Sequence, residues 1–460
     1  MIRGCSGRDR SFFPLRPGIV VMMLIVLLGL PSFQARAEGI LDVYSLALKN
    51  DPRFIGARFS HDASKETLTQ AWAMLKPTVS AEGVYTNTNQ KIISSDNTVF
   101  GHGSSSFPTT EYSLSLTQPI FNKPSFANVS RARAKVKGAD MEMEAARQDL
   151  IVRIAKVYLG VLAARDKGAF AKTEEAAVEL HYELVAGKFK MGLAPKTDYL
   201  DAKSRRAEVR AARIAAESAL DDALQALREL TGRDVPSLAV LREDLPLKHP
   251  DPDEVAAWIG EAVKRNPSLE AQRQTVEAAR QEYFRQVAGH YPLLNLEAAY
   301  NHNKTEGTLF GGGSEVETTN VLLRLNVPIF EGGIVKSRSR EAFNLFQAAT
   351  QEEQRQARAL EKETRAAFFG VRDSIERVKA LREAVESQDL ALQAKREGYK
   401  SGLFILLAVL DSERDRSLVR QDYATARYDY VMNSLRLRKA VGTLSESDLV
   451  TVQEWLEANP

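Results

Sequence analysis

The chain has 460 residues, and its 62 basic and 60 acidic side chains leave a formal net charge of only +2. This near balance gives no indication of nucleic-acid binding, which a strongly basic chain would suggest. The only cysteine is Cys5. The chain beyond it therefore has no thiol for a disulfide, a zinc thiolate site or a cysteine nucleophile.

Residues 1–37 have the pattern of a secretory signal peptide. Arginines precede the apolar stretch Ile19–Leu30, and Ala35-Arg36-Ala37 follows it as a small-x-small cleavage site. The alternative is an N-terminal membrane anchor, but this apolar run is too short to span a bilayer comfortably. Cys5 precedes the run, whereas the lipidated cysteine of a lipoprotein would follow it. No later segment has the roughly 18 continuous apolar residues of a spanning helix.

The rest of the chain has the landmarks of an internal duplication. Asn50-Asp51-Pro52 recurs as Arg265-Asn266-Pro267, and Pro119-Ile120-Phe121 recurs as Pro328-Ile329-Phe330. Each half is predicted to run helix, strand, loop, strand, long helix, turn and helix. The predicted divisions are a first repeat at 38–231, a linker at 232–265, a second repeat at 266–442 and a tail at 443–460.

Proline-free stretches predict the helix lengths. No proline lies between Pro124 and Lys190, which predicts a helix of about 65 residues and roughly 100 Å, with a counterpart after Pro328. Pro52–Lys76 and Lys196–Thr231 together make about 60 residues, so two stacked short helices would match one long helix. Apolar spacings of three and four predict a coiled-coil-like seam, although an ordinary bundle core has the same pattern. The seam residues are Ile151, Ile154, Tyr158, Val161, Phe368, Val371, Ile375 and Val378.

Four segments alternate between apolar and polar residues and are predicted to be strands. Their approximate bounds are 78–90, 109–121, 293–303 and 319–330. The alternation fits a half-buried sheet in a soluble protein, and it fits a membrane barrel with its apolar face in lipid equally well. Four strands cannot close a barrel, and an open edge cannot face lipid. A membrane barrel would therefore have to be shared by several chains.

At this point the sequence resembles the TolC family of outer-membrane efflux and secretion channels. The resemblance is carried by LTQPIFNKPS, VPIFEGGIVKSRSREA and the two helix-turn-helix tips KFKMGLAPKTDYLDA and REGYKSGLFILLAVLDSE. It implies a mainly α protein with a membrane β-barrel, in which each of two repeats gives two strands and long coiled-coil-like helices. A homotrimer would form a 12-stranded barrel in the outer membrane of a Gram-negative bacterium and a 12-helix tunnel in the periplasm.

The resemblance also implies a gate at the periplasmic tips. Asp198, with Thr197 beside it, matches the family's holding Asp, and Tyr399 matches its Tyr. Phe404 stands in place of the family Arg, which would leave one hydrogen bond, Tyr399 to Asp198, worth roughly 0.5–3 kcal/mol. Ala408 stands in place of the first Asp of the constriction, and Asp411 matches the second. Without the family, Asp198 and Asp411 would be interpreted as parts of a solvated helix face.

The tip turns are the predicted docking sites of a periplasmic adaptor protein. Their residues are Gly192 and Leu193 in the first half and Gly402 and Leu403 in the second. The apolar run Phe404–Leu410 is expected to be buried between helices, and adaptor docking is the alternative. The other implied partners are a second and third copy of the chain, outer-membrane lipid and an inner-membrane ABC transporter or efflux pump, without nucleic acid or cofactor.

The most favoured function is an exit duct for type I protein secretion with an ABC transporter. Small-molecule efflux with a proton-driven pump is the first alternative, and a non-conducting periplasmic coiled-coil protein is the second. The six histidines are scattered without the spacing of a metal site or a catalytic motif. The sequence is therefore not expected to be that of an enzyme.

Overall fold

The computed structural model describes residues 37–94, 103–307 and 312–457. The predicted signal peptide, apart from Ala37, and Cys5 lie outside these ranges. The helices are α1 Ile40–Asn50, α2 Pro52–Ala73, α3 Lys123–Lys190, α4 Lys196–Thr231, α5 Val255–Arg265, α6 Pro267–Val287, α7 Ile334–Lys400, α8 Leu406–Val441 and α9 Glu446–Glu454. The strands are β1 Thr78–Ile92, β2 Gly103–Asn122, β3 Val240–Leu241, β4 Leu293–Thr305, β5 Ser314–Asn326 and β6 Leu456–Glu457.

Two long helices and two stacked pairs of shorter helices form the bundle. Helix α3 has 68 residues and α7 has 67, so each is about 100 Å long, as predicted. Helices α2 and α4 pack along α3, and α6 and α8 pack along α7. Helix α3 also contacts α6 and α8, which joins the two halves. Within the described ranges, no helix combines the length and apolarity needed to cross a membrane.

The first repeated Asn/Asp-Pro landmark is the joint at which α4 ends and α2 begins. Asp51 caps α2 by accepting a hydrogen bond from the Phe54 amide at 3.0 Å. The side-chain amide of Asn50 donates to the Thr231 carbonyl at 2.8 Å, at the last residue of α4. Arg153 of α3 donates to both oxygens of Asp51, at 2.6 and 3.2 Å. The Phe54 amide and the Thr231 carbonyl at the helix break are thus bonded to side chains of the joint.

The second landmark makes the equivalent joint between α8 and α6 with fewer side chains. Asn266 caps α6 by accepting from the Leu269 amide at 3.1 Å, and it donates to the Ala440 carbonyl at 3.0 Å. The chain leaves α8 through Gly442 at φ 80°, where a Cβ atom would lie 2.6 Å from the Arg265 carbonyl oxygen. Only glycine fits this left-handed position against a neighbouring backbone.

The main hydrophobic core lies near these joints. All eight residues of the predicted seam are at most 3% exposed. The same core includes apolar residues of α1, of the linker and of the tail, such as Ile40, Leu238 and Leu449. The linker and tail are paired through β3 and β6, and the Tyr158 hydroxyl of α3 donates to the Ala239 carbonyl at 2.8 Å. The linker and the tail therefore pack against the middle of the bundle.

The four long strands form one antiparallel sheet in the order β1-β2-β4-β5. The register aligns apolar residues in one row across all four strands and mainly polar residues in the next row, as the alternation predicts. The first row is Val79, Leu116, Ala298 and Val321, and the second is Ser80, Ser115, Ala299 and Asn320. On the apolar face, Tyr112, Leu114, Val321, Leu323 and Leu325 are 50–70% exposed. Residues 37–94, 103–307 and 312–457 leave these side chains uncovered.

The strand bounds differ from the prediction mainly at β2 and β5. Strand β2 begins at Gly103 rather than near residue 109, and β5 covers Ser314–Asn326 rather than 319–330. The repeated Pro-Ile-Phe motif therefore has two conformations. In β2 it continues the strand through a bulge between Pro119 and Phe121, and α3 follows directly after Asn122. In the second half it lies outside the strand, because Asn326 pairs with Leu293, the first residue of β4.

We predict that Asp51→Asn keeps the helix cap but loses the charge opposite Arg153. Burial alone would raise the pKa of Asp51, but hydrogen bonds from Arg153 and from the Phe54 amide, with the Arg153 charge, bring it below its ordinary value. A lowered folded-state pKa gives stability above the unfolded-state pKa that is lost as pH falls through the folded-state value. At pH 7 the substitution is expected to lower the free energy of unfolding by about 1–3 kcal/mol. The difference between the two proteins should disappear in acid, where Asp51 is protonated.

Thermal unfolding of both proteins between pH 7 and pH 3 would measure this difference. The matched control is Asp244→Asn, because Asp244 also forms a two-point contact with an arginine, Arg242, but at the surface. Its unfolding temperature should change little. Equal effects of the two variants would contradict the role assigned to the joint.

Candidate functional site

The two helix tips have the same turn geometry at the ends of α3 and α7. Gly192 and Gly402 have φ of 73° and 79°, which glycine adopts without steric penalty. The Leu193 amide donates to the Lys188 carbonyl at 2.8 Å, and the Leu403 amide donates to the Gly398 carbonyl at 2.7 Å. Such bonds satisfy carbonyls at a helix end. Both leucine side chains are exposed at the tips.

Phe404 packs onto its own helix pair. Gly398 of α7 is buried beneath it, and a Cβ atom at that position would lie 2.4 Å from the Phe404 ring. The Phe404 amide also lies 3.3 Å from the Gly398 carbonyl. Phe404 therefore occupies a notch within the α7–α8 pair and provides no charge toward the α3–α4 pair. The sequence alone did not identify Gly398 as the residue that makes room for this ring.

Asp198 and Tyr399 face different grooves. Asp198 is in the first turn of α4, where a carboxylate is stabilised by the helix dipole, and it accepts from the Thr197 hydroxyl at 3.2 Å. Tyr399 lines a groove of about 490 Å³ with Arg396 and Arg416. Within the described part of the chain, no hydrogen bond joins Tyr399 to Asp198. The contact expected between these two residues is therefore absent from this structure.

A groove of about 540 Å³ separates the two pairs near the tips. Its walls include Asp198 and His181 on one side and Leu407 and Leu410 on the other. Of the apolar run, Val409 is buried, whereas Ile405 and Leu407 are exposed. The expectation that the whole run is buried is therefore met only in part. Burial, with a smaller effect from Lys188, lowers the pKa of His181, so the imidazole in this groove is neutral at neutral pH.

Asp411 lies opposite a cation that the sequence reasoning did not single out. Arg205 Nη2 of α4 is 3.9 Å from Asp411 Oδ1 of α8 and 4.0 Å from Glu174 Oε1 of α3. Ala408, one helical turn before Asp411, has no charge to add. No local signal marks Arg205, because it stands beside Arg206 in a helix with many charged residues.

Farther from the tips, the two pairs are joined by a partly buried hydrogen bond. The Tyr428 hydroxyl of α8 donates to Asp166 Oδ2 of α3 at 2.7 Å. Burial raises the pKa of Asp166, although the bond from Tyr428 and the charges of Arg427 and Arg165 act in the opposite direction. Burial, followed by the Asp166 charge, also raises the pKa of Tyr428.

A family model described as outer membrane efflux protein matches residues 43–233 and 258–443, which make up most of the chain. The chain belongs to the outer membrane efflux protein family. Outer membrane protein TolC of Vibrio cholerae serotype O1 is 30% identical over 432 residues, or 94% of this chain and 96% of that protein. Proteases secretion protein PrtF of Dickeya chrysanthemi is 27% identical over 444 residues, or 95% and 96%.

The solved structures agree on the fold of this family member. The Campylobacter jejuni CmeC outer membrane channel superposes with a TM-score of 0.74 at 15% identity, covering 98% of this chain and 97% of that one. The resemblance to TolC-like proteins is confirmed, and the protein is located in the outer membrane. The individual roles of the tip residues stay predictions.

We predict that Tyr428→Phe destabilises the folded chain by about 1–3 kcal/mol, because a partly buried carboxylate loses its hydrogen-bond donor. A raised folded-state pKa means that the stability contributed by Asp166 falls as pH rises through its ordinary and raised values. Without the Tyr428 bond the pKa of Asp166 rises further, so this fall should become larger.

Denaturant unfolding at several pH values would measure both effects. Tyr423→Phe is the control, because the Tyr423 hydroxyl is exposed and lies 3.5 Å from the Glu243 carbonyl. It should unfold like the unmodified chain. A Tyr428→Phe protein with unchanged stability would show that the Asp166 bond does not hold the pairs together.

Proposed function

We propose that this protein is the outer-membrane exit duct of a tripartite export system and that it serves type I protein secretion. The proposal depends mainly on one observation, that the β-sheet is continuous with the long helical bundle. A sheet with one uncovered apolar face leads directly into a bundle about 100 Å long. The apolar face suits lipid, and the long bundle suits a tunnel that crosses the periplasm.

A homotrimer is proposed from the open edges of the sheet. Strands β1 and β5 each have one neighbour in the described chain, and backbone groups at an open edge are too costly to leave in lipid. Pairing β5 of one copy with β1 of the next would close a barrel, and three copies would supply 12 strands. The four helical columns of each copy, α3, α2 with α4, α7, and α6 with α8, would supply 12 columns.

The tips are proposed as the gate and the docking site. The exposed turns at Gly192, Leu193, Gly402 and Leu403 would receive a periplasmic adaptor, which connects the duct to an inner-membrane ABC transporter. Thr197, Asp198, Tyr399, Phe404, Ala408 and Asp411 would line or control the periplasmic opening. Asp411 is the remaining carboxylate of the constriction, so three copies would present three carboxylates there.

Type I secretion is preferred because a relative matched over nearly its whole length is described as a protease secretion protein. Small-molecule efflux with a proton-driven pump is the second candidate, because the family description itself names efflux. The two candidates differ in the inner-membrane partner.

We predict that single cysteines at the tips will cross-link to an adaptor in living cells. Leu193→Cys and Leu403→Cys place the label at exposed tip residues, and Lys362→Cys on α7 is the control far from the tips. Mass spectrometry of the captured complex should find an adaptor and an ABC exporter. A proton-driven pump would establish the efflux alternative, and a monomer that is absent from outer membranes would overturn the duct.

We predict that Asp411→Asn lowers the cation preference of the channel in planar bilayers. Selectivity at a pore ring follows its charge, and this substitution removes three carboxylates from the proposed trimer. Asp222→Asn is the control, because Asp222 is an exposed carboxylate of α4 far from the tips. Reversal potentials in a salt gradient give the selectivity. An unchanged potential in the Asp411→Asn channel would remove Asp411 from the constriction.

A further inference from the structure

The tips of this chain lack the charged contact that the family Arg would make, because residue 404 is a phenylalanine. Phe404 packs on Gly398 within its own pair, and Tyr399 does not bond to Asp198. The α3–α4 and α7–α8 pairs nevertheless lie side by side down to the groove of 540 Å³. Some other interaction must therefore hold the second pair against the first near this end.

Arg205 is the described residue that reaches across. Beyond Asp166, in the described chain, its contact with Asp411 is the one ion pair that joins the two helix pairs. Arg205 is seven residues after Asp198, or two turns along the same face of α4, and it lines the same groove. Its side chain is 28% exposed and that of Asp411 is 53% exposed, so salt can screen the contact from the Asp411 side.

The neighbouring charges leave Asp411 without another partner. In the second pair, Arg396 is bonded to Glu413 at 2.5 Å, and Arg416 is bonded to Asp389. No cation of α7 or α8 lies within 4.0 Å of Asp411 in the described structure. In the first pair, Glu174 Oε1 lies 4.0 Å from the same Arg205 nitrogen.

We propose that Arg205 is the positioning residue that keeps the tip closed in this protein, by holding the second helix pair through Asp411. The inference rests on the proposed duct function and specifies how its gate is held. Asp411 then has two roles, because it closes the tip through Arg205 and contributes charge to the pore. Loss of Arg205 separates these roles, since it frees the pairs and leaves the pore carboxylate in place.

The first test compares Arg205→Gln with Arg206→Gln in the reconstituted channel. Arg206 is the adjacent residue, but it binds Glu179 within the first pair at 2.6 Å, so it controls for charge and helix position. Arg205→Gln should raise the ratio of open to closed states about tenfold, which is about 1.4 kcal/mol, because three copies each lose a pair. Its cation preference should persist, and Arg206→Gln should behave like the unmodified protein.

Salt and charge reversal distinguish an ionic role from a structural one. Raising the ionic strength should open the unmodified channel and leave Arg205→Gln unchanged, because exposed pairs are screened. Arg205→Asp and Asp411→Arg should each open the channel, and the double variant should close it again. Equal open fractions in Arg205→Gln and the unmodified protein, or no recovery in the double variant, would overturn the proposal.

A distance measurement makes the inference independent of conduction. Spin labels at Leu193→Cys and Leu403→Cys report the separation of the two tips within one copy, when labelled chains are diluted into unlabelled ones. Arg205→Gln should lengthen or broaden this distance, and Arg206→Gln should not. Absence of current in both the unmodified protein and Arg205→Gln would contradict the duct, whereas an unchanged distance in Arg205→Gln would contradict the ion pair alone.

Discussion

The architecture depends on making two helix breaks inside a packed bundle without leaving backbone groups unbonded. A long helix can be matched by two shorter ones only if the end of one and the start of the next are both satisfied. In the first half, Asn50 and Asp51 bond the backbone at the joint, and Arg153 binds Asp51. In the second half, Asn266 bonds the backbone on both sides of the joint, and Gly442 allows the chain to turn there. The buried seam and the alignment of the short helices with α3 and α7 both require these joints.

The joints also explain what could be predicted from the sequence. A cap residue followed by proline marks a helix start, so the first residue of α2 agrees with the prediction, and α6 begins at the proline of the repeated motif. The lengths of α3 and α7 followed from the absence of proline. The seam residues are buried as their spacing indicated. These features depend on local chemistry, which is visible in a single sequence.

Features that depend on a partner segment were predicted less well. Strand β5 ends where β4 has no further residue to pair with, and no pattern within VLLRLNVPIF indicates this. At the tips, the resemblance identified Asp198, Tyr399 and Asp411, but not which groove each one faces. The contact of the Phe404 ring with Gly398 and the contact of Arg205 with Asp411 both depend on how the segments pack in three dimensions. Composition and spacing therefore could not indicate them.

The two copies of the Pro-Ile-Phe motif make the halves mechanically unequal. In the first half the hydrogen-bonded ladder continues to Asn122 and α3 starts at the next residue, so this helix is fixed in direction by the sheet. In the second half, residues 327–333 separate β5 from α7, and Gly332 and Gly333 have positive φ with open space around them. The connection from β2 to α3 is thus rigid, whereas the connection from β5 to α7 contains a glycine hinge. Rotation of α7 and α8 about this hinge need not disturb the sheet.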